Sequence, residues 1–162
     1  MEDYSSAIPY LSFQLNQDLY AYKISDVVEV IDLQKITVIP KTPPYIMGVI
    51  NFRGDILPLI DIRKECGLNC DSDFDVDSVI IVLDVNKEDS ENRFLVGSIV
   101  NAVRDVVEVK PVDIMLIPNF DNRINPEFAE GIFKHNDNFI TVLDIPAVFS
   151  IDKNMQSKQN RL

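Results

Sequence analysis

Histidine is all but missing from this chain: His135 stands alone among 162 residues. A multi-histidine metal site or a histidine phosphorelay within the chain is hard to build on that basis, and a Ser-His-Asp constellation would have to recruit this one side chain. It sits in Lys134-His135-Asn136-Asp137-Asn138, a polar turn between apolar runs, where an exposed bystander is a simpler reading than a catalytic base. Cysteine is nearly as scarce. Cys66 and Cys70 are spaced as Cys-Gly-Leu-Asn-Cys, which lacks the two-residue spacing of a redox pair and has no second pair to complete a zinc site. They read as reduced thiols near a strand end. Gly-x-Ser-x-Gly, a phosphate-cradling glycine loop and a metalloprotease signature are all absent, so neither a metal nor a cofactor is expected.

Long apolar runs are missing too. None reaches the roughly 20 residues that a bilayer-crossing helix needs, and Met1-Glu2-Asp3-Tyr4 does not open like a signal peptide. The expected location is the cytoplasm, with no direct membrane insertion. Positive charge is thin: 15 Lys and Arg face 26 Asp and Glu, for a net charge of −11. The basic residues are scattered rather than clustered, so nothing resembles the stripe that displaces counterions from nucleic acid. An acidic surface of this kind suits a protein partner that offers a basic patch.

What the chain has is a pattern stated twice. The block from Pro43-Pro44-Tyr45 through Gly48-Val49-Ile50 to Leu59-Ile60-Asp61-Ile62 is echoed by Pro126-Glu127-Phe128, Gly131-Ile132-Phe133 and Val142-Leu143-Asp144-Ile145. Upstream, Asp26-Val27-Val28-Glu29-Val30 recurs letter for letter as Asp105-Val106-Val107-Glu108-Val109, and Val38-Ile39-Pro40 as Leu116-Ile117-Pro118. Two copies of this length are too few and too long for a solenoid. They predict two similar small folds, and a half of about 75 residues would be marginal alone, so the halves should share a core. The cleft between them is the first place to look for function.

Local patterns agree on strands. Tyr10 to Ile24 alternates apolar and polar around Asn16-Gln17-Asp18, which predicts a hairpin of half-buried strands. Ser25-Asp26 suits the cap of a short helix over Val27 to Ile31, although the β-branched content equally permits a strand. Ile36 to Ile39 reads as a strand closed by Pro40, and Gly48 to Ile62 as a hairpin turning at Phe52-Arg53-Gly54-Asp55. The acidic stretch Asp71 to Asp77 is the expected boundary between copies. Val79 to Leu83 suits a strand buried on both faces. After the turn Asn86 to Asn92, further strands are expected within Arg93 to Val109 and at Ile114 to Ile117, Phe128 to Phe133 and Phe139 to Ile145. A short helix over Pro146 to Ile151 and a polar tail at 153–162 follow. Short strands with regular turn signals and no long helical period predict an all-β fold of two barrels related by an approximate two-fold. The expected unit is 8–152, with the first barrel near 10–75, the second near 76–150, and exchange of strands between them allowed.

Two constellations deserve a functional reading. Asp61 and Asp144 are matched across the copies and could share a proton as acid and base, but neither is followed by a Thr/Ser-Gly turn. Capping of local backbone amides is the simpler role. Arg53 on a hairpin tip beside a glycine can fork onto a carboxylate or onto carbonyls of an approaching partner; its plain alternative is a surface salt bridge. The second copy has His135-Asn136-Asp137 where the first has Phe52-Arg53-Gly54, so the copies diverge at this turn.

Phe13 in an alternating strand, Val27-Val28-Glu29-Val30, Ile39-Pro40-x-x-Pro43 and Gly48-Val49-x-Asn51-x-Arg53-Gly54-x-Ile56-x-Pro58-x-x-Asp61-x-Arg63 together resemble the CheW family of bacterial chemotaxis coupling proteins. The likeness runs from about Tyr10 to about Ile151, more loosely in the second half. It implies two SH3-like five-stranded β-barrels with short helical segments, no catalysis, and two partners: the regulatory domain of the histidine kinase CheA and the cytoplasmic hairpin tip of chemoreceptors. It also implies recruitment from the cytoplasm to membrane receptor arrays. By position, Val27, Glu29, Asn51, Arg53 and Gly54 correspond to family segments that line or support a receptor-binding groove between the barrels. Ile56 could add apolar contact, and Val106, the duplicate of Val27, could reach the groove from the other barrel; plain core is the alternative for all three apolar residues. Arg53 either pairs with Glu29 or reaches a receptor carboxylate. Kinase-contacting residues are not assignable from sequence. Neither a kinase nor a receiver domain fits in this length, which favours a stand-alone adaptor. The competing readings are an adaptor of the same fold in a twitching-motility or second-messenger pathway, and a hydrolase built on the aspartate pair.

Overall fold

The computed structural model describes residues 6–70, 73–87, 91–116 and 124–149. The polar tail, the end of the expected C-terminal helix and the Ile117-Pro118 part of the repeat lie outside the described residues. Among these residues ten strands follow one another: β1 (Ile8–Leu15), β2 (Asp18–Lys23), β3 (Val27–Asp32), β4 (Ile46–Phe52), β5 (Asp55–Ile60), β6 (Val79–Asp84), β7 (Leu95–Val100), β8 (Ala102–Val109), β9 (Ala129–His135) and β10 (Asn138–Leu143). Two one-turn helices, α1 (Ile62–Glu65) and α2 (Ile145–Val148), come after β5 and β10. Among the described residues no helix is long and apolar enough to cross a membrane.

The strands form two five-stranded sheets, here sheet I in the order β3-β6-β7-β5-β4 and sheet II in the order β8-β1-β2-β10-β9. The orders correspond strand for strand. Each has an outer strand antiparallel to a hairpin, then a parallel step, β5 on β7 or β10 on β2, into a second hairpin. This is the all-β architecture of two like units that the duplication predicts, and it fits the SH3-like five-stranded barrels that the resemblance implies. In the chain the copies are consecutive, β1–β5 and then β6–β10, yet each sheet takes the opening hairpin of one copy and the last three strands of the other. The acidic connector therefore separates the copies but not the sheets. It falls inside sheet I, between β5 and β6, so the contiguous division near residue 75 gives way to an exchange of hairpins.

The exchange explains the burial. Tyr10, Ala21, Phe133, Ile140 and Val142 fill the interior of sheet II, and Ile50, Leu57, Leu59, Ile80, Val82 and Ile99 that of sheet I. A third and larger cluster, including Phe13, Tyr20, Tyr22, Ile60, Ile81, Leu83, Val96 and Leu143, lies between the sheets. The exchanged hairpins thus bury both faces. For β6 this matches the expectation, but β1–β2 was expected to be half-buried: its alternation fails because Ser12 and Ala21 are also sealed, at 1% and 0% exposure. Tyr22 and Ser98 occupy corresponding positions in the two sheets, and their hydroxyls bond to each other at 2.8 Å in the middle of the shared cluster.

Of the two alternatives for Val27 to Ile31 the strand is the one formed, and the short helical turn precedes it at Ile24–Asp26. Two smaller expectations are corrected. Ile36 to Ile39 and, of the second segment, the described residues Ile114 to Leu116 are not strands. Each is a strap that touches its sheet at one point, Thr37 on Val49 and Met115 on Ile132, with paired backbone bonds of 2.9 Å and 2.8 Å. Each strap crosses beside a glycine of the repeat, Gly48 or Gly131, where an added Cβ would lie 2.3 Å from Thr37 O or 2.6 Å from Met115 O. The repeated glycines are therefore crossing points, not turn residues.

At the end of α1, burial pushes the Glu65 carboxyl up from 4.5 to about 7. The folded chain holds this proton where the unfolded chain has released it, so the contribution to stability is complete below pH 4.5 and is lost as pH rises through about 7. Glu65→Gln should accordingly raise Tm relative to wild type at about pH 8 and make no gain at about pH 4. Parallel Tm curves for the two proteins across that range would contradict this. The neighbouring Cys66 thiol is free and buried, and burial together with the Glu65 charge pushes it up to about 12, which leaves it unreactive.

Candidate functional site

The β4–β5 hairpin turns through two residues, because Phe52 pairs with Asp55 and Asn51 with Ile56. Arg53 and Gly54 both take positive φ, 53° and 86°, the primed geometry whose twist suits a two-residue hairpin. Asn51 fixes the turn by accepting the Gly54 N–H on its side-chain oxygen at 3.0 Å. Arg53 then lies across the sheet opening. Its guanidinium donates to Glu29 Oε1 and sits 4.9 Å from the centroid of the Phe52 ring. Glu29 is on β3, and β3 and β4 are the two ends of sheet I, so this ion pair closes the barrel at its rim.

The contribution to stability is small. The Arg53 side chain is 66% exposed, and exposed pairs contribute about 0.2–1 kcal/mol. The turn itself does not call for arginine. The matching turn of the second copy holds Asn136 and Asp137 at φ 49° and 66°, residue types that accept left-handed backbone at low cost. An arginine held there costs on the order of 1 kcal/mol. Arg53 is thus retained against local backbone preference, at an exposed tip.

Around this tip the sequence-derived residues divide. Glu29, Asn51, Arg53 and Gly54 form one connected set through the two bonds above. Ile56 adjoins it, directly opposite Asn51 and 71% exposed, so it is surface rather than core. Val27 turns toward the shared cluster between the sheets and packs against it, which is the core reading. Val106 is 59% exposed on β8, the outer strand of sheet II, where it is paired with Leu11. The structure leaves Val106 on the other sheet from the Arg53 set. Sequence reasoning missed Phe139, which occupies in β10 the place of Ile56 in β5 and is 56% exposed. The spacing of the repeat was enough to find it. Beside Phe139, a groove of about 960 Å³ runs between the second hairpin tip and β8, lined by polar residues such as Arg104, Asp105, His135 and Asn136 and by apolar ones such as Ile132 and Ile140.

The aspartate pair performs capping. Asp61 accepts the Arg63 N–H at 3.1 Å, and its two oxygens also take Arg63 Nε and NH2 at 3.1 Å each. Asp144 accepts the Ala147 N–H at 3.3 Å. With both Asp61 oxygens committed to a guanidinium, a proton shared between the two carboxyls has no support in this geometry. Among the described residues no group of three or more His, Cys, Asp and Glu is placed to hold a metal ion.

Comparison with known proteins gives one consistent result. The CheW-like domain matches residues 9–153. A chemotaxis protein CheW of Treponema pallidum is 30% identical over 155 residues, covering 93% of this chain and 86% of that protein. The chemotaxis protein CheW of Bacillus subtilis is 30% identical over 136 residues, covering 84% and 83%. Among solved structures, the scaffolding protein TtCheW of Thermoanaerobacter tengcongensis superposes with a TM-score of 0.78 at 34% identity, covering 88% of each chain.

Proposed function

Because the chain belongs to the CheW-like domain family, we propose that it is a non-catalytic adaptor that couples transmembrane chemoreceptors to the histidine kinase CheA. In this reading it works from the cytoplasm and is recruited to receptor arrays, with the kinase regulatory domain and the receptor hairpin tip as its partners. The relatives named as chemotaxis proteins CheW and the scaffolding protein TtCheW support the pathway. The observation that carries the site is Arg53, an arginine at φ 53° on an exposed tip whose copy manages with Asn136-Asp137. A guanidinium kept in that position gains its value from a partner carboxylate, with Glu29 orienting it in the free protein and Ile56 supplying apolar area beside it.

Adaptor work needs surfaces rather than reacting groups. The shared cluster joins the two sheets, so a partner on one face is physically connected to a partner on the other. The purified chain should bind both an isolated CheA regulatory domain and a receptor tip fragment in isothermal titrations. No binding to either at about 100 µM, weaker than transient signalling contacts usually are, would overturn the reading.

A further inference from the structure

Arg63, in the single turn of α1, is a buried cation that the helix does not need. Its side chain is 4% exposed beside Asp61 at 2%, and a buried guanidinium is costly unless its donors are matched. The corresponding helix of the second copy carries Pro146 instead, and its own aspartate caps it just as well. The reason for Arg63 lies in what else it touches. NH1 reaches Asn16 Oδ1 at 3.3 Å, and Asn16 is the tip of the β1–β2 hairpin, which belongs to the other sheet. Asn16 in turn donates from Nδ2 to the Asn69 carbonyl at 2.6 Å and from its backbone N–H to Asn101 Oδ1 at 2.7 Å. Asn101 is the hinge residue between β7 of sheet I and β8 of sheet II. On its remaining side the guanidinium lies 4.2 Å from the Phe74 ring centroid, in the connector between the copies.

We propose that Arg63 is a positioning residue: by tying α1 to the Asn16 turn and the connector, it fixes the angle between the two sheets and with it the shape of the cleft that the receptor tip reads. Apolar burial between the sheets is non-directional and tolerates sliding. Matched polar bonds are directional and select one placement. The contact exists on one side only, since Pro146 cannot make it, so the two-fold is broken at this point and one end of the interface is pinned. This inference rests on the receptor-adaptor reading for its functional half.

The test uses Asn16, because replacing Arg63 would strand Asp61 and risk the fold. Asn16 has φ 57°, so Asn16→Gly keeps the turn conformation while deleting both side-chain bonds. Asn16→Asp restores the acceptor for Arg63 alone. Residual dipolar couplings of sheet I and sheet II amides report the inter-sheet angle without any partner, and titration with a receptor tip fragment reports the cleft. Asn16→Gly should melt within a few degrees of wild type, need different alignment tensors for the two sheets, and bind the tip about tenfold more weakly; Asn16→Asp should recover both. Wild-type couplings and affinity in Asn16→Gly, or failure of Asn16→Asp to recover them, would overturn the role of Arg63. If wild type itself does not bind the tip while Asn16→Gly still shifts the couplings, the latch stands and the receptor reading falls.

Discussion

Gly48→Ala should destabilise the chain by about 2–5 kcal/mol, combining overpacking with backbone strain. For a protein of this length that is a fall in Tm of about 5–20 °C. The new Cβ would sit 2.3 Å from the Thr37 carbonyl oxygen and 2.7 Å from Ile36 Cγ2, at a φ of +145° that L-residues rarely adopt. The nearer atom is backbone, so the strap must lift, and the two 2.9 Å bonds that tie it to Val49 go with it. Gly131→Ala meets the same geometry at 2.6 Å without a positive φ and should cost less, about 1–3 kcal/mol. Urea unfolding of both variants measures the ranking. A Gly48→Ala protein within about 0.5 kcal/mol of wild type, the range of ordinary surface substitutions, would mean that the strap does not cross where it is placed.

Arg53→Glu should produce the opposite pattern: receptor-tip binding at least about 30-fold weaker, as for a central contact worth 2 kcal/mol or more, with Tm changed by less than about 3 °C. The fold loses only an exposed pair with Glu29 and an exposed contact over Phe52. The partner, in contrast, meets a reversed charge at the centre of its contact. Arg53→Asn sharpens the separation. Asparagine accepts φ near 53° as Asn136 does in the other copy, so this variant should match or exceed wild-type stability while still binding poorly. Parallel loss of stability and binding in both variants would make Arg53 a structural residue.

The sequence told a good deal about this architecture, and unevenly. The repeat predicted two like units, and the −x-Asn-x-Arg-Gly- turn and both capping aspartates were readable because each is local: a turn or a cap is decided within a few residues. Hairpin exchange was not readable beyond being allowed, because which β-hairpin joins which sheet is a tertiary choice that leaves the consecutive pattern Tyr10 to Ile24 unchanged. The same blindness produced the expectation of half-buried β1–β2. The straps at Ile36 and Ile114 looked like strands since they carry strand-like residues, and only the glycine opposite each reveals a single crossing. Val27 and Val106 are identical in local sequence but not in place: Val27 pairs with Leu83 as Val103 pairs with Phe13, and both pack against the shared cluster, whereas Val106, paired with Leu11, stands where Val30 does and is exposed like it. The letter-for-letter match was therefore out of structural register.

The account depends on a chain that performs no chemistry and transmits a receptor's state to a kinase through its two faces. The direct measurement is CheA autophosphorylation with receptor-bearing membranes, with and without this chain. Phosphorylation should become receptor-ligand-sensitive only when the chain is present, and lose that sensitivity with Arg53→Glu. Kinase activity that responds to receptor ligand equally well in the absence of the chain, or ignores it in the presence of the wild-type chain, would contradict the account.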